Sequence, residues 1–278
     1  MAKYAIALEA LLRRFATPSM PVLIDVRRRE AYDKADTVIP TAHWRDHKRA
    51  SAWAAEVPRG RDAPQGDVVV YCVHGHQVSE SAAALLRAAG LAACYLEGGI
   101  EGWRDAGAPL VAKAALERYR PNGASQWVTR EAPRIDRLAC PWFVRRFVDP
   151  AARFHYVSPT QVSAVAAETG AVAYDISEPG IEFTHDGPRC SFDAFVKIFG
   201  VKDPALDRVA DIIRGADTSR HDLAPQCAGL LAITLGLGAI EGDDHALLER
   251  AMPLYDGLYG WARFAAGETH GWPPKQGT

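Results

Sequence analysis

The chain has 278 residues, room for two ordinary domains, with 48% hydrophobic and 24% charged residues, the balance of a globular chain able to bury a core. A formal charge of −2 excludes the basic footprint of a nucleic-acid binder. Five scattered cysteines, Cys72, Cys94, Cys140, Cys190 and Cys227, form neither a disulfide framework nor a paired metal motif, and so point to a reducing, cytoplasmic compartment. No run reaches the ~20 apolar residues of a membrane span. The longest candidate, AGLLAITLGLGAI, is short and broken by glycine, so no membrane partner is expected.

The N-terminal stretch MAKYAIALEALLRRF carries Ile6, Leu8, Leu11, Leu12 and Phe15 at helical spacing, and Glu9 interrupts any signal-type run. PVLIDV and DVVVYCV are compact apolar runs, the pattern of strands covered on both faces. SESAAALLRAAG predicts a helix ending at Gly90. LAACYLEGG predicts a further strand and IEGWRDAG a short helix closed by Gly107. This alternation predicts an α/β domain over 1–112, a parallel sheet with flanking helices.

A helical run then ends in RPNGAS, so residues 113–126 read as a linker and 127–278 as a second domain. QWVTR, ARFHYV, AVAYDI and IEFTH have the look of strands, and RIDRLACPWFVRRFVDP of a helix ending before Pro150. The last third is helical in DPALDRVADIIRGAD, APQCAGLLAITLGLGAI and DDHALLERAMPLYDGLYGWARFA, giving an α+β domain that is mostly helical. Tyr255, Tyr259, Trp261 and Phe264 fall at helical spacing without basic interleaving, a core or inter-domain seam rather than a base-stacking platform.

Within YCVHGHQVSESAAALL the thiol of Cys72 stands between a buried strand and a helix. At the carboxyl edge of a parallel sheet such a loop aims amides and a helix dipole at one spot. That setting lowers a thiol pKa from ~8.5 to roughly 3.5–7.5. Gly75 lets the loop curl, Ser79 can cap the helix, and His74 and His76 can supply positive charge or move protons. The bland alternative is a small buried hydrophobe ending a strand. Cys94 reads as core.

VLIDVRRREAY, IPTAHWR, VVVYCVHGHQVSESAAALL and YLEGGIEGWRDAGAPL occur in the order and spacing of a rhodanese (sulfurtransferase) domain, which residues 5–112 resemble. The resemblance implies that Cys72 is the sulfur-carrying nucleophile and that Val73, His74, Gly75, His76 and Gln77 complete its substrate-binding loop. It implies transfer of sulfane sulfur from a small-molecule donor, through a persulfide, to a thiol or cyanide acceptor, with no cofactor required. Asp25 would brace the fold. TVIPTA stands where the family has GHIPGA, and Gln77 and Val78 stand where many family loops end in arginine. Without that arginine, phosphate-ester chemistry is disfavoured and thiosulfate is held less firmly.

WVTREAPRIDRLACPWFVRRFVDPAARFHYV, AYDISEPGIEFTHDGPRCSF and FGVKDPALDRVADIIRGAD resemble the C-terminal domain of the chromate-resistance protein family, over Trp127–Arg263. The resemblance implies a part in chromate tolerance. Two readings of the residues stand open. In one, RIDRLACPWFVRRF is an anion-binding helix capped by Asp136 and bent by Pro141. Arg134, Arg137 and Arg145 would then hold chromate or sulfate; the alternative is arginine stems covering Trp142. In the other, Glu182, His185, Asp217 and His221, with Asp222 and Cys190 nearby, hold a divalent metal, provided the chain bends near Thr184. Capping and turn roles are the bland alternative there. The activity expected is that of a sulfurtransferase linked to oxyanion resistance; the competing class is a chromate or redox sensor with little turnover.

Overall fold

The computed structural model describes residues 4–57, 67–120 and 124–268. The first half runs through β1 (Ala5–Ile6), α1 (Leu8–Arg14), β2 (Val22–Asp25), α2 (Arg29–Asp33), β3 (Thr37–Val38), β4 (His43–Trp44) and α3 (Ala50–Trp53). It continues with β5 (Asp67–Tyr71), α4 (Gln77–Ala88), β6 (Ala92–Leu96), α5 (Gly99–Asp105) and β7 (Val111–Ala112). The second half holds α6 (Lys113–Tyr119), β8 (Gln126–Arg130), α7 (Asp136–Phe143), β9 (Arg153–Val157), α8 (Val162–Thr169) and β10 (Val172–Ala173). It ends with α9 (Ser191–Ile198), α10 (Pro204–Asp217), α11 (Cys227–Ile240) and α12 (Asp244–Phe264).

The first sheet has the order β1-β6-β5-β2-β4 with every pair parallel, as the strand–helix alternation predicts. Its central strand β5 shows why the sequence reads as a continuous apolar run. Val68 and Val70 enter one core with Trp53, Ala82 and Leu86, under α3 and α4. Val69 and Tyr71 point the other way into a second core with Leu11 and Trp103. A smaller parallel sheet, β10-β8-β9, organises the second half beneath its helices.

Several sequence expectations shift. Ile6 lies in β1, and the first helix begins only at Leu8. IEFTH is no strand: Phe183 makes one isolated bridge to Tyr174 and the chain then turns. The segment expected as a linker is ordered over Lys113–Tyr119, a helix that buries Ala115, Leu116 and Tyr119; Pro121–Gly123 lie outside the described residues. Helix α7 continues through Pro141 into a π-helical turn at Val144–Val148. The carbonyl of Arg137, whose helical donor proline removes, accepts instead from the Tyr174 hydroxyl at 3.4 Å. Among the described residues no helix is long and apolar enough to cross a membrane.

One hydrophobic core runs through both halves. Phe15 of the first half meets Trp103 edge-on at 5.8 Å, Phe147 at 5.2 Å and Tyr259 at 6.2 Å. The C-terminal aromatics read as a seam divide accordingly. Tyr255 and Tyr259 are buried, while Phe264 is half-exposed beneath the guanidinium of Arg13.

Arg120 joins the halves by hydrogen bonds. Its guanidinium donates to the carbonyls of Thr41 (2.9 Å), Ala42 (2.7 Å) and Val148 (2.7 Å). Arg120→Ala leaves these carbonyls without their charged donor and is expected to cost about 3 kcal/mol or more. Scanning calorimetry checks this as a fall in Tm that Arg120→Lys makes smaller; an unchanged Tm would show that the contact is dispensable.

Candidate functional site

Cys72 follows β5 directly and opens the loop to α4. It is 6% exposed, and its Sγ lies 3.2 Å from Ser79 Oγ, which also donates to the carbonyl of His76 at 3.1 Å. Ser79 is therefore no cap. It sits buried in the first turn of α4 and bridges the sulfur to the loop backbone. The hydroxyl can accept from a thiol or donate to a thiolate, following the charge on sulfur. Gln77 and Val78, the first residues of α4, carry amides without an intrahelical acceptor. His74, His76 and Gln77 are exposed, Val73 is half-buried and Gly75 is buried. Cys94 packs with the opposite core from Cys72, so the two thiols serve different faces of the sheet.

The loop is shaped by backbone against backbone. Gly75, Gly98 and Gly99 all take left-handed φ, at 69°, 72° and 58°. A Cβ on Gly75 would strike the Leu96 carbonyl and come within 2.8 Å of the Gly98 and Gly99 nitrogens. One on Gly99 would stand 2.5 Å from the carbonyls of Cys72 and Val73. Those carbonyls accept from Ile100 N at 3.0 Å and Glu101 N at 3.1 Å, so the start of α5 carries the loop. Asp25, expected to brace the fold, is buried and bonded by the guanidinium of Arg27 two residues on, at 2.6 Å to Oδ2. Gly75→Ala combines the clash with left-handed strain of roughly 1–2 kcal/mol. It should displace the loop while the far-UV circular dichroism stays native-like; unaltered reactivity of Cys72 toward a thiol reagent would contradict this account.

In the second half the sequence-predicted residues separate. Arg134 is exposed. Arg137 pairs with Asp175 at 3.2 Å and also donates to the carbonyls of Arg130 and Glu131. Arg145 pairs with Glu249 at 2.5 Å and lies over the Phe154 ring. The three arginines thus have different surroundings and do not converge on one anion. Nor is Asp136 the N-cap of α7, which is Ile135; Asp136 is its first helical residue. Glu182 is also withdrawn from the expected metal quartet, bonded by Arg118 at 2.6 Å and the Tyr119 hydroxyl at 2.8 Å. His221 is exposed, next to the Arg220–Asp222 pair.

His185 and Asp217 do meet, in company the sequence reading missed. His185 Nε2 lies 3.4 Å from each of Asp136 Oδ2, Asp175 Oδ1 and Asp217 Oδ2. The three carboxylate side chains are 4%, 6% and 15% exposed, while His185, at 42%, forms the open side. Cys190 is fully buried, and its Sγ clusters with carboxylate oxygens of Asp136 and Asp217. The neighbouring carboxylates of Asp136 and Asp175 push His185 up to about 10. Burial and the nearby Asp136 charge push Asp217 up to about 7. Burial works against ionisation of Asp175, but the nearby His185 and bonds from Ser191 and Arg130 hold it below the usual carboxylate range. Burial pushes the Cys190 thiol up. The turn at Thr184, whose hydroxyl donates to the Ile176 carbonyl at 2.9 Å, swings His185 inward. Asp175 directly follows Tyr174 beyond β10, and Asp136 opens the helix after β8, so a search of strand carboxyl ends could have found both.

The first half, with its parallel sheet and cysteine-bearing loop, matches the rhodanese-like domain family over residues 7–106. Residues 127–262 match the family described as ChrB, C-terminal domain, so the chain carries a match to each of the two families in turn. Protein ChrB of Cupriavidus metallidurans is 33% identical over 135 residues, covering 48% of this chain and 40% of that protein. The chain therefore matches less than half the length of that relative. Among solved structures, a full-length protein from Lactobacillus plantarum is 26% identical over 39% of this chain and 88% of its own, with a TM-score of 0.34. A rhodanese-related protein from Thermoplasma volcanium is 23% identical over 39% of this chain and 97% of its own, with a TM-score of 0.32.

Proposed function

We propose that the rhodanese-like domain is a sulfurtransferase working through Cys72, in a protein that takes part in chromate resistance. The observation that carries this reading is the position of Sγ, at the end of the central strand, inside a glycine-shaped loop and 3.2 Å from Ser79 Oγ. In the first step the Cys72 thiolate attacks the sulfane sulfur of a donor. A Cys72 Sγ–S bond forms, the donor's S–S bond breaks, and the leaving group departs with the electron pair, as sulfite when the donor is thiosulfate. In the second step a cyanide or thiolate acceptor attacks the outer sulfur, forming thiocyanate or a new persulfide and returning the Cys72 thiolate. Sulfur oxidation states balance across the two displacements, and no cofactor enters either.

Ser79 fits a specific task in this cycle. Its hydroxyl can donate to sulfur when the charge resides there, and it stays anchored through the loop when the charge leaves. The mouth carries His74, His76 and the neutral Gln77 rather than an arginine. A persulfide donor, whose reacting sulfur pair carries at most one negative charge where thiosulfate carries two, suits that mouth better.

Low exposure of Cys72 supports a second reading, a redox-responsive thiol with little turnover in a chromate sensor. Steady-state transfer to cyanide from thiosulfate and from glutathione persulfide separates the two. Turnover that is faster with the persulfide and abolished in Cys72→Ser is the expected result. Ser79→Ala is expected to lower the rate about 10-fold, the equivalent of one charge-assisted hydrogen bond. Stoichiometric modification of Cys72 without turnover would replace the enzyme by the sensor, and turnover surviving in Cys72→Ser would sink both.

A further inference from the structure

We propose that Asp136, Asp175, Asp217 and His185 form a binding site for a four-coordinate divalent cation of the zinc class, with the buried Cys190 thiol beside it. The donors come from separate elements: the start of α7, the residue after Tyr174, the end of α10 and the turn after Phe183. Their convergence is a product of the tertiary fold and not of a local turn.

The distances point to an ion. A protonated His185 offers one N–H at Nε2, and a charge-assisted bond to a carboxylate closes to about 2.7–2.9 Å. Here Nε2 stands at 3.4 Å from oxygens of three different carboxylates at once, too far for such a bond to any of them. A tetrahedron with metal–ligand distances of about 2.1 Å, the zinc–carboxylate and zinc–imidazole range, has edges of about 3.4 Å. The three His185-to-carboxylate separations match that edge, and donor atoms of Asp136, Asp175 and His185 lie within 4.8 Å of one another, with Asp217 joined to them through Asp136 and His185. The set of oxygen and nitrogen ligands with a thiol close by is one that zinc accepts.

The surroundings agree. Asp175 has Arg130 at 2.7 Å and Arg137 at 3.2 Å as charge partners. Asp136 and Asp217 have no ion-pair partner but His185 among the described residues, so two nearly buried carboxylates share one imidazole. Ser191 orients the ring of ligands from behind: its amide donates to Asp136 Oδ2 at 3.3 Å and its hydroxyl to Asp175 Oδ1 at 2.7 Å. The half-exposed His185 leaves one side open to solvent for an ion to enter.

The test uses the full chain, stripped with a chelator and titrated separately with Zn²⁺, Co²⁺ and Mn²⁺, read by calorimetry and, for cobalt, by visible absorption. One equivalent of Zn²⁺ should bind, and Co²⁺ should show the intense visible bands of four-coordinate cobalt. Asp136→Asn and His185→Gln should each weaken Zn²⁺ binding by about 100-fold or more, while His221→Ala and Cys72→Ser bind as the parent does. Circular dichroism establishes that each variant is folded. If one fails to fold, the cobalt spectrum of Asp175→Asn serves instead, with loss of the four-coordinate bands expected. No binding by the stripped chain, binding unchanged in both ligand variants, or a site that prefers Mn²⁺ and leaves cobalt six-coordinate would each overturn the proposal. None of these readouts depends on sulfur transfer.

Discussion

The guanidinium of Arg120 is the constraint through which the two halves become one object. It reaches two carbonyls of the turn after β3 and one at the end of the π-helical turn that follows α7. Thr41, in that first turn, holds a left-handed φ of 65° and donates its own amide to the carbonyl of Phe147 at 3.2 Å. A π-helical turn and a strained loop both leave carbonyls pointing outward from regular structure, and a planar fork of donors is suited to collecting them. The aromatic contacts of Phe15 then close over the same seam. Directional bonds fix the register of the halves, and the apolar contact supplies the adhesion.

Both candidate sites stand at the carboxyl ends of parallel strands, where loops feeding helices converge. They are assembled by opposite means. Around Cys72 the shape comes from main chain, with glycines allowing carbonyls and amides to touch and one hydroxyl left to meet the sulfur. Around His185 the shape comes from side chains that four separate elements deliver, and α7 opens its first turn with one of them. The hydroxyl of Tyr174 holds the proline-interrupted helix to the sheet end from which Asp175 follows, which ties the position of one carboxylate to the backbone that carries another.

Local patterns made the first domain readable. The run VVVY could only be a strand covered on both faces, and the thiol, glycine and helix formers after it fell in the order that such a strand end requires. Even there the role of Ser79 was misassigned, because a hydroxyl near a helix start looks the same whether it caps or turns inward. In the second half β8, β9, α10, α11 and α12 were legible from periodicity, but the carboxylate cluster was only half visible. His185 and Asp217 stood out as types. Asp136 and Asp175 resembled ordinary cap and strand-end residues, and no spacing rule links positions so far apart in the chain. Glu182 and the arginines attracted notice as charged groups, whereas their partners, Arg118, Glu249 and Asp175, are set by packing that a single sequence does not display.

The contacts of Phe15 have a consequence for how such a chain can be inherited or cut. Its ring rests on Phe147 and Tyr259 from one side and on Trp103 from its own, so cleavage of the chain between the halves would expose fresh aromatic surface on each fragment. A gene encoding either fragment alone would specify a sticky, incompletely covered product. Recombination should therefore tend to move the pair as a single cassette, and a relative that carries only one half needs some other covering for these rings.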